Sequence, residues 1–291
     1  MRNNNEWFGL ALYSPNIDES GVGDWVDAAL IESGGEVCGV QLAQFSIASV
    51  KGNFGKMRRF DERNLKDLLN RSRQGKVNMI YGYDVELGPH TSLFGLEILY
   101  FEMTATLVYS SEIRELTVMG PKKLYNDVGV MSYVRRLVSR FGVSYGCIVS
   151  GLTRRHTDAT ITYIHSSDIE DVERLRAYGP DHPRKQFGKE ISYYQSKRRK
   201  LDQYIPRACW GNILSPSHIE ALGGEEKIRQ ESKAYLVERW GDNLYLQLTK
   251  SLWKCTNDDL RQFNRYLAPA RFPDAPEPVY LDRSSKAYIK Y

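Results

Sequence analysis

WGNILSPSHIEALGG (Trp210–Gly224), followed by NLYLQLT (Asn243–Thr249), is the most legible part of the chain. Tyr204–Trp210 before it reads as a strand. Ser215 is a good N-cap, and Pro216 then occupies the first helical position, where its missing N–H costs nothing. Ile219 and Leu222 share one helical face, and Gly223-Gly224 stop the helix. Glu225 opens a second short helix through Ile228. In Asn243–Thr249, Leu244, Leu246 and Leu248 alternate with Tyr245, Gln247 and Thr249, the period of a half-buried strand. No residue of the stretch carries catalytic chemistry, so this run predicts a folded α+β unit and assigns it no reaction.

At 291 residues the chain is long enough for one large core or two smaller ones. A hydrophobic content of 42% and a charged content of 26% fit a soluble globular protein. The net charge of +4 is too small to argue nucleic-acid binding and opposes a broadly acidic DNA mimic. Four widely spaced cysteines, Cys38, Cys147, Cys209 and Cys255, form no CxxC pair, so free thiols are expected and a structural metal is not. The amino-terminal residues lack an apolar signal core and no run is long enough to span a bilayer. A cytoplasmic location is the expectation, with no membrane partner.

Working outward, Trp7–Tyr13 reads as a strand and Asp18–Ile31 as a helix with Trp25, Ala28, Ala29 and Leu30 inward. Val37–Val50 is strand-like and Lys51–Arg59 a loop. Asp61 caps a helix to Arg73 on the stripe Leu65, Leu68, Leu69, and Gly75 ends it. Val77–Leu87, the long run Leu96–Tyr109, Glu115–Met119, Ser144–Ser150 and Ala159–His165 read as strands. Asp127–Phe141 reads as a helix with Val130, Val134, Leu137 and Val138 inward. Further helices are expected at Asp168–Tyr178, Lys189–Gln203 and from Thr256 or Asn257 to Tyr266, before an irregular proline-containing tail from Pro269. The fold class is α+β: mixed or antiparallel sheets with helices packed on one face. Strand–helix–strand blocks at 7–50 and 96–165 leave open two similar halves. Residues 1–90 and 91–291 are the expected domains, the second carrying the Trp210–Thr249 stretch and the tail.

Trp210-Gly211-Asn212, Leu222-Gly223-Gly224 and Tyr245–Thr249 together resemble the carboxy-terminal signature of bacterial immunity proteins associated with type VI secretion and polymorphic toxins, the immunity protein 52 family. The resemblance covers about the last third of the chain. It implies a non-enzymatic inhibitor that occludes a cognate effector toxin, a DNase with a restriction-endonuclease-like core. No cofactor, small-molecule substrate or direct nucleic-acid contact is implied. Trp210, Gly211, Gly223 and Gly224 carry over as signature positions for the fold.

Five candidate groups follow from the residues themselves. The acids Asp168, Glu170, Asp171 and Glu173 crowd one helix start, as Asp18, Glu19, Asp24 and Asp27 crowd another. Acids there complement the helix dipole, and they also suit a surface that meets a basic toxin. We take Asp168, Glu170, Asp171 and Glu173 as the expected partner-binding residues. The Arg184–Lys200 region, with Tyr193 and Tyr194, supports the alternative of a nucleic-acid-binding module, although four consecutive charges spread around a helix. His156 with its Arg and Asp neighbours, and Asp181-His182-Pro183-Arg184-Lys185, read better as polar loops than as reaction centres. Nineteen tyrosines supply both core and interface material.

Overall fold

Strand β1 (Trp7–Tyr13) is hydrogen-bonded on both edges, to β10 (Glu115–Pro121) and to β11 (Tyr145–Gly151), both antiparallel. The computed structural model describes residues 6–14, 22–32, 34–49, 56–83, 92–97, 100–104, 107–111, 115–151, 201–275, 277–278 and 280. The other strands are β2 (Glu36–Val37), β3 (Val40–Gln41), β4 (Gln44–Ser49), β5 (Arg58–Arg59), β6 (Val77–Tyr83), β7 (Ser92–Glu97), β8 (Tyr100–Thr104), β9 (Leu107–Ser111), β12 (Gly211–Leu214), β13 (Leu236–Trp240) and β14 (Asn243–Gln247). Ten of them form one antiparallel sheet in the order β13-β14-β12-β11-β1-β10-β7-β6-β4-β5. The pairs β2–β3 and β8–β9 stand apart as two-stranded ribbons.

The expected α+β class holds, and the helices stand on both faces of the sheet rather than on one. Helix α1 (Val22–Val26), continued by a π turn at Asp27–Ile31, α2 (Glu62–Arg73) and α3 (Asp127–Phe141) form one layer. Tyr133 Oη of α3 donates to the Ala29 carbonyl at 2.7 Å, and Phe141 meets Trp25 edge-on at 5.0 Å. Helices α4 (Pro216–Ala221), α5 (Glu225–Glu231) and α6 (Asn257–Tyr266) form the opposite layer with the strap 201–210. There Tyr145 Oη donates to the Arg207 carbonyl at 3.2 Å, and the Ala208 N–H donates to Asn264 Oδ1 of α6 at 3.2 Å. The cause is legible in β1: Phe8, Leu10 and Leu12 point to one side, Ala11 and Tyr13 to the other, and all five are buried. A strand apolar on both sides needs two covers.

The sheet also runs unbroken across residue 90, because β6 pairs with β7 and β7 with β10. The expected Val37–Val50 strand is broken by Cys38 (φ 55°) and Gly39 (φ 81°), both left-handed, which turn the chain into the β2–β3 hairpin. The long run Leu96–Tyr109 is likewise divided among β7, β8 and β9. Tyr204–Trp210 is not a strand, because the strand lies at Gly211–Leu214. The Asn212 side chain takes the Cys209 N–H at 2.9 Å and its carbonyl at 2.7 Å, so this backbone is satisfied without a ladder. Ile205 instead bridges to Arg271 of the tail. The expected caps do form: Asp61 accepts from the Asn64 N–H, Ser215 makes a capping box with His218, and Thr256 makes one with Asp259.

One buried side chain ties the two layers' connections together. Asn243, 1% exposed, accepts from the Val143 N–H at 3.1 Å and donates to the carbonyls of Val143 and Leu214. It joins the α3–β11 connection to the ends of β12 and β14. Asn243→Ala strands one buried donor and two buried acceptors, each costing about 1–3 kcal/mol after relaxation. The expected loss is roughly 3 kcal/mol, read as a lower urea midpoint with an unchanged slope. A loss below about 1 kcal/mol would show that water replaces these bonds freely.

Candidate interaction surface

The signature residues are architectural. Trp210 Nε1 donates to the Thr249 carbonyl at 2.9 Å and reaches Thr249 Oγ1 at 3.1 Å, while the Trp210 carbonyl accepts from the Leu248 N–H at 2.9 Å. A side chain at Gly211 would meet Ile148 and the Tyr245 ring at 3.1 Å. Gly223 and Gly224 have φ of +90° and +94°, which glycine alone adopts without strain. Tyr245 stacks on Trp240, with ring centroids 4.2 Å apart and planes 6° from parallel. All of β14 is buried, so the expected half-buried alternation is covered on both sides. These contacts lock the 210–249 unit and leave none of its signature side chains free to meet a ligand.

His218 is sealed in the same unit. Its Nδ1 accepts from the Ser215 N–H at 3.1 Å, so the proton sits on Nε2. Nε2 lies against the Leu201 and Tyr204 carbonyls without full hydrogen-bond geometry. Burial pushes its pKa from 6.5 down to about 4, and the two carbonyls offset only part of that shift. Ser215 Oγ donates to the Asp202 carbonyl at 2.7 Å and is not aimed at the imidazole ring. The pair caps a helix and has no nucleophile–base geometry.

Most of the candidate residues singled out from the sequence lie outside the described residues: Asp168, Glu170, Asp171, Glu173, the Arg184–Lys200 region, His156 and His182. Asp18 and Glu19 do too. Their neighbours Asp24 and Asp27 lie on α1 and the π turn, and with Glu32 they face Arg140 of α3. Glu32 ion-pairs with Arg140 and, at 3.7 Å, with Arg136. The described acids of that cluster are therefore answered by arginines of α3. Among the described residues no group of three or more His, Cys, Asp or Glu is placed to hold a metal ion. A cavity beside Phe8, Val37, Val118 and Leu124 has a free volume of about 10 Å³, room for one water. No described helix is long and apolar enough to cross a membrane.

What does reach solvent is the edge strand β13. Met57, Val128, Tyr235 and Leu236 are the exposed large apolar side chains among the described residues, and only Tyr235 (55% exposed) and Leu236 are adjacent. They sit where the chain enters β13, which among the described residues has a sheet neighbour on one side only. Two sets of ion pairs fix this edge. On the α4–α6 side, Glu225 of α5 is clamped by Arg229 at 2.5 Å and by Arg239 of β13, and Arg229 Nη1 also donates to the Val237 carbonyl at 2.6 Å. The two guanidiniums hold the Glu225 carboxyl below its usual range. On the α3 side, Arg135 pairs with Glu238 at 2.7 Å. The result is a preformed edge strand held from both faces by ion pairs, with Tyr235 and Leu236 exposed one after the other at its start. The sequence did carry its signal: YLVERW and NLYLQL flank Gly241-Asp242, a two-residue hairpin pattern, and Gly241 has φ +60°.

No protein-family model matches the chain, and no curated protein matches it in sequence. Among solved structures, a Pseudomonas aeruginosa type VI secretion system (T6SS) protein, PA0821, is similar to 91% of this chain over 73% of its own length. The TM-score is 0.53 at 10% identity, so the likeness is one of fold. The architecture is thus shared with a protein of the type VI secretion system; the narrower resemblance to the immunity protein 52 family has no family model beside it.

The His218 shift fixes a pH response. The unfolded imidazole takes up its proton near pH 6.5 and the folded one near 4, so stability is full above about 6.5 and falls as pH drops through that interval. The loss by pH 4 is roughly 3 kcal/mol. Denaturant titrations of the protein and of His218→Gln at several pH values check it. The variant should lose most of the slope between pH 6.5 and 4, and an unchanged slope would contradict the assignment.

Proposed function

We propose that this chain is a type VI secretion immunity protein that binds a cognate nuclease toxin and neutralises it by covering the toxin's active site. The observation that carries the reading is the likeness of fold, along nine-tenths of the chain, to a T6SS protein. The signature resemblance in Trp210–Thr249 points the same way and supplies the finer terms: a DNase partner with a restriction-endonuclease-like core, stoichiometric inhibition in the cytosol, no turnover and no cofactor.

Physically, neutralisation of this kind asks for a rigid surface that loses little entropy on binding. The clamped β13 edge offers one, with Tyr235 and Leu236 as the anchors that would fill a pocket on the toxin. Acids at Asp168, Glu170, Asp171 and Glu173 would complement the basic cleft that a nuclease presents to DNA and speed encounter. An interface near 1,600 Å² with two or three such anchors suffices for tight binding.

Co-expression with a candidate cognate type VI nuclease toxin is the test. Rescued growth together with co-elution of the pair is expected. Tyr235→Ala with Leu236→Ala should weaken the complex at least about tenfold without lowering the thermal midpoint of the free protein. A pair that neither rescues nor co-elutes contradicts the function. Full affinity in the double variant contradicts the β13 surface alone.

A further inference from the structure

The strap 201–210 brings a second thiol onto the middle of the sheet. Cys147 lies in β11 opposite Ala11 of β1 and Asn212 of β12, so its side chain shares the face of Asn212. The Asn212 amide holds both backbone groups of Cys209, which fixes Cys209 over that same face. Cys209 is the largest influence on the Cys147 thiol and pushes its pKa up with burial, while the Arg207 guanidinium acts in the opposite sense. Tyr145 Oη sits 3.9 Å from Cys209 Sγ. Both thiols are shut off from solvent. The other two cysteines are elsewhere: Cys38 in the β2–β3 turn and Cys255 just before α6.

We propose that Cys147 and Cys209 are a latent disulfide, closed by exchange with a small-molecule disulfide such as oxidised glutathione. One chain thiolate attacks a glutathione sulfur and releases one reduced glutathione. The second chain thiolate then displaces the other glutathione from the mixed disulfide. The chain's two thiol protons end on the two released glutathiones, so one dithiol and one disulfide become one disulfide and two thiols. The closed bridge ties the strap to β11 and turns the chain between 147 and 209 into a covalent loop. That loop carries Asp168, Glu170, Asp171 and Glu173. Because both sulfurs are sealed, exchange waits on the strap lifting, and sub-denaturing urea should speed it.

The full chain incubated with oxidised glutathione, with and without sub-denaturing urea, then alkylated and mapped by non-reducing peptide mass spectrometry, tests this. The expected product is a Cys147–Cys209 linked peptide that forms faster in urea and retains no glutathione. It should raise the thermal midpoint by roughly 5 °C, reversibly with dithiothreitol. A Cys38→Ser/Cys255→Ser double variant should behave identically, and Cys209→Ser should give no linked peptide. Linkage through Cys38 or Cys255, glutathione adducts alone, a linked product without a higher midpoint, or no reaction even in urea would each overturn the proposal. The double variant keeps the test decisive should Cys209→Ser fail to fold.

Discussion

The double burial of β1 is the constraint from which the rest follows. Flanked by β10 and β11 and apolar on both sides, it cannot be stable until a helical layer covers each face. The amino-terminal third supplies α1 and α2 and, with α3, one cover; the carboxy-terminal third supplies the other through the strap, α4, α5 and α6. The two ends of the chain are thereby committed to one core. Burying this much apolar surface is the dominant favourable term in folding, and no cysteine bridge is needed to supplement it.

Four buried amides inside that core bond backbone groups. Asn212 bonds Cys209, Asn243 bonds Val143 and Leu214, Asn264 bonds Ala208, and Gln247 bonds the Thr249 carbonyl. These bonds offset the desolvation of amide and backbone alike where the chain runs at or beyond the ends of the strands. The ion pairs follow a different logic. Those of Glu225 and Glu238 lie at the sheet edge, where single exposed pairs contribute little stability. Their effect is positional: they hold β13 and its exposed Tyr235–Leu236 step in one geometry. Stability and presentation of a surface thus come from different residues.

How far the sequence could be read depends on how local the cause was. Capping at Asp61, Ser215 and Thr256, the stops at Gly75 and Gly223-Gly224, and the apolar stripe of α3 are set within a few residues and were legible. The break at Cys38-Gly39 needed a left-handed cysteine, which propensity does not announce. Tyr204–Trp210 has the composition of a strand, and its lack of a ladder comes from Asn212 and from the tail at Arg271, distant or side-chain effects. Placement of helices on both faces is implicit in the unbroken apolar run of β1, which has no polar side to leave uncovered. The β13 hairpin was visible around Gly241-Asp242; its meaning as an exposed edge required the strand order. The acidic residues Asp168–Glu173 fall outside the described residues, so the expectation for them stands on sequence alone.

The central claim is that one sheet, shared by both ends of the chain, makes a single cooperative unit. Native-state hydrogen exchange across a denaturant series tests it most directly. Amides of Leu10, Ile80, Val118, Ile148 and Leu246 should converge on one global opening free energy with one denaturant slope. Separate free energies and slopes for the β4–β6–β7 side and the β11–β12–β14 side would contradict it.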